Sequence, residues 1–147
     1  MNVRPDSWNV PLLLHVFGAM VLVGGLLACA IAIALARGRT SLLRLGYFSL
    51  LTLGLPGYVL MRVGAQWLSS KEGLDDAPTE PAWVGIGYMT ADAGAVLLLV
   101  ALVVGGIGVR KLRTGGGAGL LKASMVISIL LLAAYVVTIW AMGAKPD

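Results

Sequence analysis

The stretch PLLLHVFGAMVLVGGLLACAIAIALA, residues 11–36, decides the fold because it is a long apolar run without Asp, Glu, Lys or Arg. A helix needs about 20 apolar residues to cross the hydrocarbon core of a bilayer, and this run exceeds that length. Three further runs of the same kind cover residues 46–68, 83–109 and 120–143. The sequence therefore predicts an all-α integral membrane protein with four spans.

The composition agrees with a membrane protein. Of the 147 residues, 59% are hydrophobic and only 12% are charged, with a mean hydropathy of +0.91. Soluble domains carry about a quarter charged residues. No segment outside the four runs is long enough to bury a core of its own, so we expect residues 1–147 to form a single transmembrane domain.

The charges are divided between the connecting segments, and this division predicts the orientation. Residues 37–45 and 110–122 are rich in Lys and Arg and contain no Asp or Glu, whereas the acids concentrate near the termini and in residues 69–82. Short basic loops stay on the cytoplasmic side of a membrane. We therefore expect a bacterial cytoplasmic membrane protein with both termini extracytoplasmic, whose net charge of +4 serves contact with the lipid bilayer and not with nucleic acid.

Small residues predict which face of each span meets the others. Membrane helices associate through close packing of small side chains and through polar contacts, and a 3-4 spacing selects the contacting stripe. The stripes are His15, Gly18, Leu22, Gly25, Cys29, Ala32 and Ala36; Gly54, Gly57, Met61 and Gly64; Gly85, Tyr88, Asp92, Ala95, Leu99, Leu102 and Gly106; and Ser124, Ser128, Leu131, Tyr135, Thr138 and Met142. We expect them to face one another in an antiparallel four-helix bundle.

Polar side chains in these spans fall in one layer. At 1.5 Å per residue, His15, Arg62 and Asp92 lie within about 13 Å of the extracytoplasmic span ends. Other polar residues reach a similar depth or adjoin these three on the same helices. The predicted polar layer comprises His15, Arg62, Asp92, Tyr88, Tyr135, Thr138, Gln66 and Tyr58.

Two interpretations of this layer are open. A charge in the centre of a membrane helix costs about 2.5–3.5 kcal/mol on insertion scales, and pairing of Arg62 with Asp92 would offset part of that cost. In one interpretation the pair only fixes the order and register of the helices. In the other, the layer forms an outward-opening pocket in which His15 binds a ligand or moves protons.

Several ligands suit such a pocket. A haem could use His15 as an axial ligand, and copper could use His15 with the thioethers of Met89 or Met142. A quinone, a lipid or a small, largely apolar ligand that forms hydrogen bonds with His15 and Tyr135 is also open. The residues offer no zinc ligand set and no set for nucleophilic catalysis, so no catalytic residue is predicted.

Two segments resemble small bacterial membrane proteins akin to the membrane domain of copper-resistance protein D. They are LLHVFGAMVLVGG, residues 13–25, and LGLPGYVL, residues 53–60, in which Pro56 interrupts an apolar run. The resemblance covers the first two spans and implies a four-helix membrane unit with His15 at a metal or haem site. This chain departs from that pattern because it has no second histidine.

The sequence thus predicts a small polytopic membrane protein that is a non-enzymatic accessory subunit or a binder of a small ligand. The alternative is a haem- or copper-linked redox or transport protein that uses His15 as a ligand. A membrane-protein partner or a second copy of the chain is expected as well, because a stripe such as Gly18 and Gly25 also suits contacts between protomers.

Overall fold

The computed structural model describes residues 9–76, 78, 79 and 81–144, and no strand occurs among them. The predicted positions of the two termini concern residues 1–8 and 145–147, which lie outside this part of the chain. Four long helices make up the fold: α1 (Val10–Ala34), α2 (Thr40–Glu72), α3 (Ala82–Lys111) and α4 (Ala118–Ala144). Each is long and apolar enough to cross a membrane.

Local signals explain where the helices begin and end. The side chain of Asn9 accepts a hydrogen bond from the backbone N–H of Leu12, and Pro11 occupies the first turn of α1, where its missing N–H costs nothing. Gly73 ends α2 with a φ of 68°. A 3-10 turn, Leu112–Thr114, follows α3 and leads into the glycine-rich connection to α4.

Helix α2 is longer than the predicted span of residues 46–68. Its first part, Thr40–Ser49, is amphipathic, with Leu43 buried and Arg44 exposed, and it continues without a break into the apolar run. The first basic connection is therefore shorter than predicted and covers only residues 35–39.

The proline in the second apolar run does not break the helix. A π-helical segment, Leu50–Gly54, ends two residues before Pro56, and Leu55 donates its backbone N–H to the carbonyl of Leu50. A proline ring inside a helix lacks an N–H and collides with the preceding turn. The wider π-helical turn accommodates the proline ring, so α2 remains one continuous helix.

Helices α1 and α2 form a tightly packed antiparallel pair. Gly18 lies against Met61, Leu22 against Gly57, and Gly25 against Gly54, so the residue number rises on one helix as it falls on the other. A Cβ atom added at Gly57 would overlap the backbone of Leu22. The predicted small-residue stripes of the first two spans are confirmed by this packing and by their burial.

Helices α3 and α4 form a second antiparallel pair, in which Gly94 lies against Tyr135 and Gly105 against Ser124. The two pairs meet through α1 and α4, where the hydroxyl of Ser128 donates to the sulfur of Cys29 at 3.5 Å. Cys29 is fully buried at this contact, as its predicted role of a small residue between helices requires.

The predicted stripe is confirmed for the fourth span and wrong by one residue for the third. The buried residues of α3 are Val84, Gly87, Ala91, Gly94, Leu98, Ala101, Leu102, Gly105 and Gly108. This stripe consists mainly of small residues, and close contact with α4 selects it over the neighbouring stripe that contains Asp92 and Tyr88. Only Leu102 of the predicted set is buried.

The two ends of the molecule differ in charge and in packing. At one end, called here the basic end, lie Arg37, Arg39, Arg110 and Lys111; at the other, the terminal end, α1 begins and α4 ends. At the basic end the ring of Tyr47 packs against α3. Towards the terminal end α2 and α3 make few contacts, and this separation leaves a cavity between the helix pairs.

The outer surface of the four helices is apolar. Its exposed large side chains include Leu13, Met20, Val96, Val103, Val136 and Trp140. An apolar surface of this extent is not tolerated in water. The four helices and their surface therefore describe a multi-pass membrane protein.

Candidate functional site

The candidate site is the cavity at the terminal end, which has a volume of about 360 Å³. All four helices line it, and along α1 it runs from Asn9 to Val23, a distance of about 20 Å. Its lining is mainly apolar. The ionisable and hydroxyl side chains among the lining residues are His15, Arg62, Ser69, Glu72, Tyr88, Tyr135 and Thr138.

His15 is held against α2 by its ring. Its Nδ1 atom lies 3.0 Å from the carbonyl oxygen of Met61. A carbonyl oxygen only accepts hydrogen bonds, so Nδ1 carries the proton in this contact. The contact depends on Gly64, where a Cβ atom would overlap the backbone of His15 and push the two helices apart.

Arg62 connects α2 to α3. Its Nη2 atom lies 2.8 Å from Oδ1 of Asp92, and its guanidinium carbon lies 5.2 Å from the centre of the Tyr88 ring. Tyr88 and Asp92 are one turn apart on α3, so the Arg62 side chain contacts both of them: it pairs with the Asp92 carboxylate and lies over the Tyr88 ring. The structure thus brings together the two intramembrane charges that the sequence singled out.

Asp92 does not face the interior as the third stripe predicted. Its side chain is 67% exposed, against 30% for Arg62, and Arg62 lines the cavity whereas Asp92 does not. Ala91 and Gly94 occupy the contact face of α3, which places Asp92 on its flank. The long arginine side chain spans the remaining distance between α2 and α3.

Tyr58 makes a second connection between the same two helices. Its hydroxyl donates to the carbonyl oxygen of Ala91 at 3.0 Å, one helical turn from Arg62 on the side of the basic end. The hydroxyl is thereby satisfied, and Tyr58 does not line the cavity. Its observed contact is a bond between helices.

Two buried donors at the cavity have no hydrogen-bond partner. They are Nη1 of Arg62 and the hydroxyl of Tyr135. Tyr135 is only 5% exposed, and its hydroxyl faces the backbone of α3 at Gly94. A buried donor without an acceptor costs about 1–3 kcal/mol. A molecule that supplies acceptors in the cavity would recover part of that free energy.

The remaining predicted residues divide between the cavity and the surface. Thr138 lines the cavity, and its hydroxyl donates to the carbonyl oxygen of Ala134 in its own helix. Gln66 is exposed and does not line the cavity. Met142 lines the same cavity as His15, whereas Met89 is 75% exposed on the outer surface. Of the two methionines proposed as metal ligands, only Met142 therefore shares the cavity with His15.

Ser69 and Glu72 line the cavity but were missed because the second span was predicted to end at residue 68. The signal was present in the sequence. Arg62, Ala65, Ser69 and Glu72 follow a 3-4 spacing along one face of α2, and all four line the cavity. Within the described part of the chain, no three His, Cys, Asp or Glu side chains are grouped as a metal site would require.

Comparison with known proteins found no family model, curated protein or solved structure that matches this chain. The likeness to the copper-resistance protein D membrane domain therefore stays a prediction, and function has to be argued from the cavity itself.

Proposed function

We propose that this protein binds a small, largely apolar molecule in the cavity at its terminal end and acts as a non-enzymatic binding or accessory subunit. One observation carries the proposal: an apolar cavity of about 360 Å³ whose wall holds two unpartnered donors, on Arg62 and Tyr135. Ligand pockets in proteins have this character, mainly apolar with a few polar groups that orient the ligand.

The proposal includes an orientation in a bacterial cytoplasmic membrane. Basic side chains cluster at one end of the helices, and short basic loops stay cytoplasmic. This supports a cytoplasmic basic end and extracytoplasmic termini. The cavity then lies in the outer half of the bilayer, where a membrane-dissolved molecule has direct access to it.

Co-purification tests the binding function. The protein is extracted in a mild detergent, and native mass spectrometry determines whether a small molecule leaves with it. We expect an adduct whose occupancy is reduced in Tyr135→Phe, which removes one cavity hydroxyl, and unchanged in the matched variant Tyr47→Phe at the basic end. A wild-type protein that carries no adduct and takes up no added apolar probe would contradict the proposal.

A second candidate function uses His15 as a haem or copper ligand. The hydrogen bond from Nδ1 to the carbonyl of Met61 supports it, because metal-ligating histidines commonly donate their other nitrogen to such a group. Met142 would be the second ligand. A visible spectrum with a Soret band that disappears in His15→Ala is expected for haem, and a colourless, copper-free preparation excludes this candidate.

A further inference from the structure

We infer that the cavity is selective for a neutral molecule whose polar head carries hydrogen-bond acceptor oxygens of the carbonyl class, as in quinones and esters, and that it rejects anionic amphiphiles. The inference rests on the proposed binding function and adds the chemical class of the ligand. Three properties of the cavity carry it: its charge balance, its unpartnered donors and its size.

The charge balance disfavours an anion. Arg62 is the only Lys or Arg among the residues that line the cavity, and its charge is already matched by Asp92 at 2.8 Å. Glu72 adds a further carboxylate to the lining. The side chains of Arg62, Asp92 and Glu72 thus already sum to one negative charge, and a bound carboxylate or phosphate would add to it in a low-dielectric environment, where unbalanced charge is costly.

The unpartnered donors favour acceptor oxygens. Nη1 of Arg62 and the hydroxyl of Tyr135 both have a proton to donate and no acceptor within reach. Both residues line the cavity although the two donor atoms are themselves buried, so a bond to a ligand oxygen requires a small rotation of each side chain. A carbonyl oxygen accepts such bonds without bringing a charge, whereas a hydrocarbon leaves the donors unpaired.

The size of the cavity suits a compact head with part of an apolar tail. Its volume of about 360 Å³ is at the lower end of the range of about 300–1,000 Å³ found for small-molecule pockets. The polar lining residues His15, Arg62 and Tyr135 are accompanied along the whole cavity by aliphatic ones such as Leu22 and Val23. A head held by the polar groups can thus leave its tail against apolar side chains.

Three probes with alkyl tails of nearly equal length, ten carbons or nine carbons plus a carboxylate, separate these properties. They are decylubiquinone, which is neutral and carries carbonyl oxygens, decanoate, which is anionic, and decylbenzene, which has no acceptor. Binding to the purified full chain in a non-ionic detergent is measured by calorimetry near pH 7. We expect decylubiquinone to bind at least about tenfold more tightly than either of the others, since one well-made contact or one avoided charge changes affinity on that order.

Two variants test the physical causes. Tyr135→Phe should weaken decylubiquinone about twofold to tenfold and leave decylbenzene unchanged, because only the quinone accepts from the hydroxyl. Tyr47→Phe is the control and should change neither. Asp92→Asn frees the charge of Arg62 with little change in shape, so it should raise the affinity for decanoate and remove the preference for the neutral probe.

The outcomes distinguish this inference from the proposed function. Decanoate binding more tightly than decylubiquinone to the wild-type protein would overturn the inference while the binding function stands. Decylbenzene binding as well as decylubiquinone would overturn the role of the donors. If none of the three probes binds, the cavity is not a site for such molecules and the proposed function fails with the inference.

Discussion

At the scale of single residues, Arg62 combines three situations in one side chain. One nitrogen is paired with Asp92, the guanidinium plane lies near the Tyr88 ring, and the other terminal nitrogen has no partner. The first two contacts hold α2 to α3, and the third leaves a donor at the cavity. A structural role of Arg62 is therefore compatible with the proposed ligand-binding role, although the sequence presented the two as alternatives.

The charge pair should be revealed by non-additive stability. Asp92→Leu leaves the Arg62 charge uncompensated, and Arg62→Leu does the same to Asp92, whereas the double variant removes both charges. We expect the summed losses in free energy of unfolding of the two single variants to exceed the loss in the double variant. The difference, the coupling energy, should be about 1–2 kcal/mol. Unfolding by a denaturing detergent in mixed micelles measures all four proteins. Strictly additive losses would show that the 2.8 Å pair contributes nothing to the fold.

A buried hydroxyl between helices should contribute more than one that bonds within its own helix. The hydroxyl of Ser124, which is 1% exposed, donates across to the carbonyl oxygen of Ala101 at 2.7 Å. Ser124→Ala removes the hydroxyl that donates to this carbonyl. We therefore expect the free energy of unfolding to fall by about 1 kcal/mol in the same assay. Ser49 bonds only to Leu45 in its own helix, and Ser49→Ala is the control. Equal losses in the two variants would contradict this distinction.

The sequence identified most of the ionisable and hydroxyl residues that line the cavity, but not whether their polar atoms have hydrogen-bond partners. Charged and titratable residues in an apolar run can be recognised from the sequence alone, so Arg62, Asp92 and His15 were identifiable. Whether a donor has an acceptor depends on neighbours distant in sequence, and the unpartnered hydroxyl of Tyr135 could not be foreseen. Gln66 was grouped with Arg62 by spacing alone, and its exposure shows that an adjoining stripe can face away from the cavity.

At the scale of helices, glycine decides how closely α1 and α2 approach. Gly24 and Gly25 are consecutive residues of α1 with opposite surroundings. A Cβ atom at Gly25 would lie 2.5 Å from the backbone nitrogen of Gly54, whereas a Cβ atom at Gly24 meets nothing within 4 Å. The backbone of α2 cannot move aside as a flexible side chain would, so the neighbours form a matched pair of test sites.

Gly25→Ala should therefore lower the free energy of unfolding by about 1–3 kcal/mol, the usual cost of overpacking. Gly24→Ala should leave it unchanged or raise it by less than about 1 kcal/mol, since alanine restricts the unfolded chain more than glycine does. Both variants are compared in one detergent by the same unfolding assay. A tolerated Gly25→Ala would mean that the two helices are not as close as described.

Element boundaries and contact faces were predictable only where one physical rule acted alone. Three stripes followed the small-residue rule and were placed correctly. On α3 the same rule competed with the expectation that Asp92 must face inward, and the small residues Gly87, Ala91 and Gly94 determined the face. The start of α2 at Thr40 was not predicted. The amphipathic residues before the apolar run are not hydrophobic enough on average to mark a membrane span.

At the scale of the whole molecule, two antiparallel helix pairs share one interface through α1 and α4. Each pair is closed by its own small residues, so nothing in the packing of one pair fills the space between α2 and α3 near the terminal end. The cavity is a consequence of this arrangement, and the Arg62–Asp92 pair together with the Tyr58 bond spans the side left open. Polar contacts thus join α2 to α3 where the packing between these two helices is sparse.

The proposed orientation can be tested with the single native cysteine as an internal control. Cys29 is fully buried and should not react with a maleimide. Labelling of a cysteine introduced by Thr79→Cys, between α2 and α3, or by Thr114→Cys, at the basic end, therefore shows on which side of the membrane that residue lies. Basic loops are retained in the cytoplasm, so intact cells treated with a membrane-impermeant maleimide should label only the Thr79→Cys variant, and broken cells should label both. Labelling of Thr114→Cys alone in intact cells would invert the orientation and place the cavity in the cytoplasmic half of the bilayer. That result would overturn the proposed orientation but not the proposed ligand binding, because cavity shape and donor geometry do not depend on which side of the membrane they face.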